Sequence, residues 1–215
     1  MAELDYLSLL ESQVAAMATS LAAADPDAAV PACPDWKVRD LASHVIGVHT
    51  WVTSTLGNPK PGPYGEPPQE GDAAQLSGNY ARAAQALVDR LHELSPDTPS
   101  WTFDEDNQTA GYWRRRQLQE ISVHRWDVAP YDMDPATAAD GIDEAVHFFV
   151  ARQVARGRVT LPAGSLRLVT PEQTWTIGEG QPESVVEGSA PDLLLSLWGR
   201  KDLLPAPWSS AKLMP

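Results

Sequence analysis

The sequence predicts an α+β protein in which a four-helix bundle is followed by a small α+β domain. Four segments with helical periodicity fill roughly the first 130 residues, and short β-branched runs between Pro and Gly turns come later. The chain has 215 residues, of which 43% are hydrophobic, so it can bury a substantial core. We therefore expect a helical domain over residues 1–134 and an α+β domain over residues 135–215.

The N-terminal part of the sequence contains four predicted helices. The first covers residues 3–23, where apolar side chains recur at spacings of three and four. These apolar residues are Leu7, Leu10, Val14, Met17 and Leu21. A second helix is predicted over about 36–56, with Asp35 as its N-cap, a third over about 72–94 and a fourth over about 110–129. Four consecutive helices joined by Pro- and Gly-rich loops are typical of a helix bundle.

The C-terminal part has a different pattern. "GIDEAVHFFVARQVARG" is an amphipathic helix by its periodicity. "SLRLVT", "TWTI" and "SVVEG" are enriched in β-branched and apolar residues and are separated by Pro and Gly, as short strands are. "APDLLLSLWGR" predicts a closing helix, and the last dozen residues are predicted to be a tail.

Charge and composition exclude several classes of function. Acidic residues outnumber basic ones 29 to 16, giving a formal net charge of −13, whereas binding to nucleic acid requires a basic face. A membrane span needs about 18 consecutive apolar residues, and no apolar run in the sequence is that long. Glu3 and Asp5 occupy positions where a signal peptide would carry basic residues. The single cysteine, Cys33, excludes an internal disulfide framework. We expect a cytoplasmic protein, a monomer or homodimer, that binds neither nucleic acid nor membrane.

Polar residues occupy the core-facing side of two predicted helices. Successive helical positions are rotated by about 100°, so His124 lies about 40° from Glu120, on the side that also holds Trp113. At a spacing of four residues, the side chains of Glu120 and His124 are neighbours. On the second helix, His44 lies inside the apolar stripe, whereas His49, about 140° away, lies at its edge.

Three interpretations of these residues are open from spacing alone. Glu120 and His124 can form a hydrogen-bonded core pair with His44 as an unrelated core histidine. They can form an acid–base pair without metal. Alternatively, His44 on one helix faces Glu120 and His124 on another, and the three bind a metal with an open coordination position, as catalytic sites do.

Three stretches resemble one enzyme family. "VPACPDWKVRDLASHVIGVHTWV" resembles the motif that opens the second helix of mycothiol-dependent maleylpyruvate isomerases, and "RRRQLQEISVHRWD" resembles the second metal motif of that family. "SLRLVT…TWTI…VEGSAPDLLLSLWGR" resembles its small, sterol-carrier-like C-terminal domain. The resemblance implies a DinB-like four-helix bundle that holds a divalent metal, usually zinc, through His, Glu and His. Those family positions match His44, Glu120 and His124.

The resemblance also implies a function. It points to an enzyme that uses mycothiol as thiol cosubstrate to conjugate or isomerise a small electrophile, because a thiol bound to zinc is deprotonated at neutral pH. Arg116, near the metal-binding side of its helix, is a candidate to hold an anionic group of the substrate. Asp127 is a candidate to support a ligand or bind the thiol, with a surface salt bridge as the alternative. Two other functions are open, a non-catalytic small-molecule carrier and a sensor of metal or thiol.

Overall fold

The computed structural model describes residues 4–213. The chain divides into two compact units, the first ending at Tyr131 and the second beginning at Asp132. The first is helical and the second contains a small sheet, so the predicted α+β fold class is confirmed. The domain limits 1–134 and 135–215 stay a prediction. None of the helices within residues 4–213 is long and apolar enough to cross a membrane.

Four long helices build the described part of the first unit. They are α1 (Tyr6–Ala23), α2 (Val38–Thr55), α3 (Ala73–Glu93) and α4 (Ala110–Val128). Helix α1 packs against α3 and α4, and α2 packs against α3 and α4. The five apolar residues that predict the first helix are all buried, which confirms the period of the pattern. Side chains also fix the helix starts, since Asp5, Asp72 and Thr109 accept hydrogen bonds from the first turns of α1, α3 and α4.

The predicted start of the second helix is wrong. Residues before it form a short antiparallel hairpin, β1 (Ala29–Val30) with β2 (Cys33–Lys37), so Asp35 lies in a strand and is not an N-cap. The helix begins at Val38, and the Asp40 carboxylate accepts a 2.8 Å hydrogen bond from the Lys37 backbone N–H. Hairpin pairing therefore decides where α2 starts.

The loop between α2 and α3 lacks regular structure but is fixed along α2. Residues 62–69, here called the strap, run in the direction opposite to the helix. At one end the Gly62 N–H donates to Thr55 Oγ1 at 3.0 Å, and near the other Ser43 Oγ donates to the Pro67 carbonyl at 2.8 Å. The strap thus lies over the part of α2 between these two contacts.

The second unit combines helices with a three-stranded sheet within residues 132–213. Its helices are α5 (Pro135–Glu144), a π-helical turn (Ala145–Val150), α6 (Ala151–Ala155), α7 (Ala190–Leu197), a 3-10 turn (Ala206–Trp208) and α8 (Ser210–Leu213). The central strand is β3 (Ser165–Val169), antiparallel to β4 (Thr174–Gly178) and parallel to β5 (Pro182–Glu187). The C-terminal segment is helical, and Trp208 is buried, so the predicted tail is wrong there.

Candidate metal centre

Two neighbouring helices bring three potential metal ligands together. His44 projects from α2, and Glu120 and His124 project from successive turns of α4. The Nε2 atoms of His44 and His124 lie 3.3 Å and 3.4 Å from Glu120 Oε1, and one ligand atom from each residue lies within 4.8 Å of the others. His44 is therefore not the unrelated core histidine that the first interpretation required.

A carboxylate on the far side of each ring orients both imidazoles. His44 Nδ1 lies 2.9 Å from Glu66 Oε1, and His124 Nδ1 lies 3.0 Å from Asp127 Oδ2. Since an ionised carboxylate only accepts hydrogen bonds, Nδ1 is the donor in both pairs. Each Nε2 then faces Glu120 Oε1, to which it donates when protonated, and it can present its lone pair to a cation once that proton is lost. This arrangement is the carboxylate–histidine pairing that commonly supports metal-binding histidines.

The charge of Glu120 is stabilised on both of its oxygens. Oε1 faces the two imidazoles, and Oε2 accepts a hydrogen bond from the guanidinium of Arg116, one turn earlier on α4. Burial raises the pKa of the Glu120 carboxyl, but the charge of Arg116 and the hydrogen bonds with His124 and His44 hold that pKa well below its ordinary value. The centre therefore contains an ionised carboxylate at neutral pH.

The imidazoles compensate this negative charge. Burial lowers the pKa of His124, but hydrogen bonds with Asp127 and Glu120 outweigh it and raise the pKa to about 9. For His44, burial is likewise outweighed by its hydrogen bonds with Glu120 and Glu66, and the pKa rises above its ordinary value. Both shifts show that the centre favours positive charge between its carboxylates.

Family models cover both units of the chain. The model described as the mycothiol maleylpyruvate isomerase N-terminal domain matches residues 7–129. A second model, the C-terminal domain of the same family, matches residues 136–210.

The chain belongs to the mycothiol maleylpyruvate isomerase family.

Solved structures show the same fold. A crystal structure of a histidine-to-alanine mutant of the mycothiol-dependent maleylpyruvate isomerase matches with a TM-score of 0.72 and 15% identity, covering 98% of this chain and 94% of that one. A crystal structure of the mycothiol-dependent maleylpyruvate isomerase matches with a TM-score of 0.68 and 16% identity, with the same coverage. No curated protein matches this chain at a significant level. This structural likeness establishes the fold of the chain.

The two residues predicted to be catalytic lie beside the ligand candidates. Arg116 is buried against Glu120, and the Asp127 side chain is fully buried against His124. The structure thus connects each of them to a ligand candidate, and the surface salt bridge considered for Asp127 is excluded by its burial. Their catalytic roles stay a prediction.

Sequence reasoning missed Glu66. This residue lies in the strap, where no periodicity relates its position to that of His44, and the Pro- and Gly-rich composition indicated only an irregular loop. The structure places the Glu66 carboxylate between His44 Nδ1 and the Tyr64 hydroxyl, which also donates to it. An acidic residue between a glycine and a proline is a common pattern, so the sequence around Glu66 did not mark it as a partner of His44.

His49 was predicted at the edge of the core, and the structure buries it completely. Helix α3 packs over this side of α2, with the ring of Tyr80 5.6 Å from that of His49. His49 Nδ1 lies 2.8 Å from Gln117 Oε1, and burial lowers its pKa to about 4. A buried, neutral histidine with its own partners is a core residue and not part of the candidate metal centre.

Proposed function

We propose that the chain is a metal-dependent enzyme that uses mycothiol to isomerise or conjugate a small electrophile. The observation that carries this proposal is the convergence of His44, Glu120 and His124 in a chain of the mycothiol maleylpyruvate isomerase family. The solved relatives are named for mycothiol-dependent maleylpyruvate isomerisation, which supports a thiol cosubstrate and a small unsaturated substrate.

The donor set fits a divalent cation such as zinc. Two imidazole nitrogens and one carboxylate oxygen are ligands that zinc prefers, and three protein ligands leave one position open for a thiol. Each imidazole has its Nδ1 held by a carboxylate, so the Nε2 lone pairs can converge with Glu120. A cation at this position would also balance the negative charge for which the imidazoles now compensate.

In this proposal the metal would supply the positive charge that lowers the pKa of a bound thiol, so that it reacts as a thiolate at neutral pH. His44, Glu120 and His124 would hold the cation, and three protein ligands would leave one coordination position for the thiol. The burial of these residues limits competition by water, since their side chains are only 20%, 18% and 13% exposed.

Arg116 and Asp127 act in this proposal through the ligands. The Arg116 guanidinium fixes Glu120 Oε2 and leaves Oε1 directed to the centre. Asp127 fixes His124 by accepting from its Nδ1–H. We therefore assign both residues a positioning role. For Arg116 it replaces the contact with an anionic substrate group that the sequence indicated, and for Asp127 it is the first of the two alternatives, support of a ligand.

Metal analysis of purified variants tests the centre. We expect the wild type to bind about one Zn²⁺ per chain, and His44→Ala and His124→Ala each to lose most of it, because two ligands hold zinc far more weakly than three. His92→Ala is the matched control, since His92 is exposed and pairs with Glu11. Unchanged zinc content in both ligand variants would refute the assignment.

Turnover tests the reaction. We expect mycothiol to react with an electrophile such as maleylpyruvate or a generic conjugation substrate in the presence of the zinc-loaded protein. A chelator, or either ligand variant, should abolish this reaction, and added Zn²⁺ should restore it in the chelated wild type. Zinc binding without any thiol-dependent turnover across such substrates would favour a sensor or a carrier.

A further inference from the structure

The strap closely follows α2 between its fixed ends. A Cβ atom built on Gly47, in the middle of α2, would lie 2.5 Å from the Gly65 carbonyl oxygen, closer than real side chains come. A glycine inside a helix costs about 1 kcal/mol relative to alanine. Its presence here is explained by the close approach of the strap backbone. Gln69 anchors the far end, since its carbonyl accepts a 3.1 Å hydrogen bond from Arg39.

This path places Glu66 next to His44. The Glu66 carboxylate accepts hydrogen bonds from His44 Nδ1, at 2.9 Å, and from the Tyr64 hydroxyl. An ionised carboxylate only accepts hydrogen bonds, so Nδ1 of His44 is the donor in this pair. An acceptor at Nδ1 selects the tautomer in which Nε2 carries the lone pair. In that tautomer the lone pair faces Glu120 and His124.

We propose that Glu66 is a positioning residue for His44 and that the strap is the element that sets its position. The proposal rests on the proposed metal centre. Asp127 already does the same for His124 from within α4, one turn away. His44 has its carboxylate partner 22 residues away in the chain, and the strap supplies it. An exposed ion pair of no consequence is the competing explanation, since the Glu66 side chain is 39% exposed.

Zinc affinity separates these explanations. Partners that orient metal-binding histidines typically contribute about 10–100-fold to affinity. We expect Glu66→Ala to raise the Kd for Zn²⁺ by about that factor, measured by competition with a chromophoric chelator. Glu66→Gln should be less affected, because the amide oxygen still accepts from Nδ1. Glu70→Ala, the same substitution just beyond the strap, is the matched control and should bind as the wild type does.

Cobalt provides a second measurement that is independent of affinity. At saturating Co²⁺ the visible spectrum reports the ligand geometry, so Glu66→Ala should shift or weaken the bands that the wild type and Glu70→Ala share. Without metal, the unfolding temperatures of the wild type, Glu66→Ala and Glu70→Ala should be nearly equal, because an exposed ion pair contributes little to stability.

The outcomes distinguish this proposal from the one on which it rests. A wild type that takes up neither Zn²⁺ nor Co²⁺ refutes the metal centre and the role of Glu66 together. A wild type that binds metal, with Glu66→Ala equal to it in affinity and cobalt spectrum, refutes the role of Glu66 alone. Equal losses in Glu66→Ala and Glu70→Ala would also overturn it, because the effect would then come from the loop in general.

Discussion

The buried histidine at position 49 should make the stability of the metal-free protein depend on pH. His49 is fully buried, and its Nδ1–H donates to Gln117 Oε1 at 2.8 Å. Its Nε2 lies 3.4 Å from the Tyr80 hydroxyl, whose proton it can accept. The ring is therefore satisfied as a neutral imidazole. Protonation would place a charge among the buried side chains of α2, α3 and α4.

The magnitude follows from the pKa of His49 in the two states. Burial lowers it from 6.5 to about 4 in the folded protein, while the unfolded chain keeps the ordinary value. Between these values the unfolded state binds more protons, so stability is complete above pH 6.5 and falls as the pH drops towards 4. The total loss is about 3 kcal/mol at about 1.4 kcal/mol per pKa unit, and most of it occurs by pH 4.5.

A single substitution isolates this contribution from that of other ionisable groups. His49→Asn keeps a donor close to the position of Nδ1 but removes the titrating ring. At pH 7.5 it should be less stable than the wild type by about 1–3 kcal/mol, because the Tyr80 hydroxyl loses its acceptor. Lowering the pH to 4.5 should shift this difference in stability by about 2–3 kcal/mol in favour of His49→Asn.

Urea unfolding followed by circular dichroism, in the presence of a chelator, measures the gap at each pH. The ring C–H resonance that disappears in His49→Asn identifies His49 in the NMR spectrum, and its shift should stay constant from pH 7.5 to 5.5. A gap that does not change with pH, or a His49 resonance that titrates near pH 6.5, would refute the proposed neutral, buried state.

Two further substitutions test the surroundings of the metal centre. Asp127→Ala should raise the Kd for Zn²⁺ by about 10–100-fold, since Nδ1 of His124 loses the acceptor that orients the ring. Chelator competition measures the Kd, and an unchanged Kd would exclude the positioning role. Gly47→Ala should destabilise the protein by about 1–3 kcal/mol in thermal unfolding, because the new methyl group must displace the Gly65 carbonyl of the strap. A neutral or stabilising effect, as expected for alanine in an open helix, would show that the strap does not hold its position.

Helical periodicity predicted most of the candidate centre because all three ligand candidates lie on helices. The spacing of four residues places Glu120 and His124 together, and the apolar stripe of α2 places His44 on the side that packs against α4. Both predictions depend only on the regular rotation of the helix. The same rotation predicted the buried residues of α1.

Contacts distant in the sequence explain the predictions that were wrong. The start of α2 depends on the β1–β2 hairpin, whose pairing extends to Lys37 and excludes Asp35 from the helix. The burial of His49 depends on α3, which covers one side of α2. In the sequence of α2 alone, that side is only the edge of the apolar stripe. The C-terminal segment is ordered as helix through residues such as Trp208, which its three prolines gave no reason to expect.

The two histidines of the candidate centre differ in how the sequence specifies their orientation. His124 and Asp127 are three residues apart on one helix, so helix formation alone brings the Nδ1 of the ring to its acceptor. His44 gains its acceptor only when the strap has packed along α2, which requires Gly47 and the contacts at both strap ends. The local half of the centre was therefore predictable, and Glu66 was not. For the same reason, substitutions in the strap can alter the orientation of His44 without changing either helix that carries a ligand candidate.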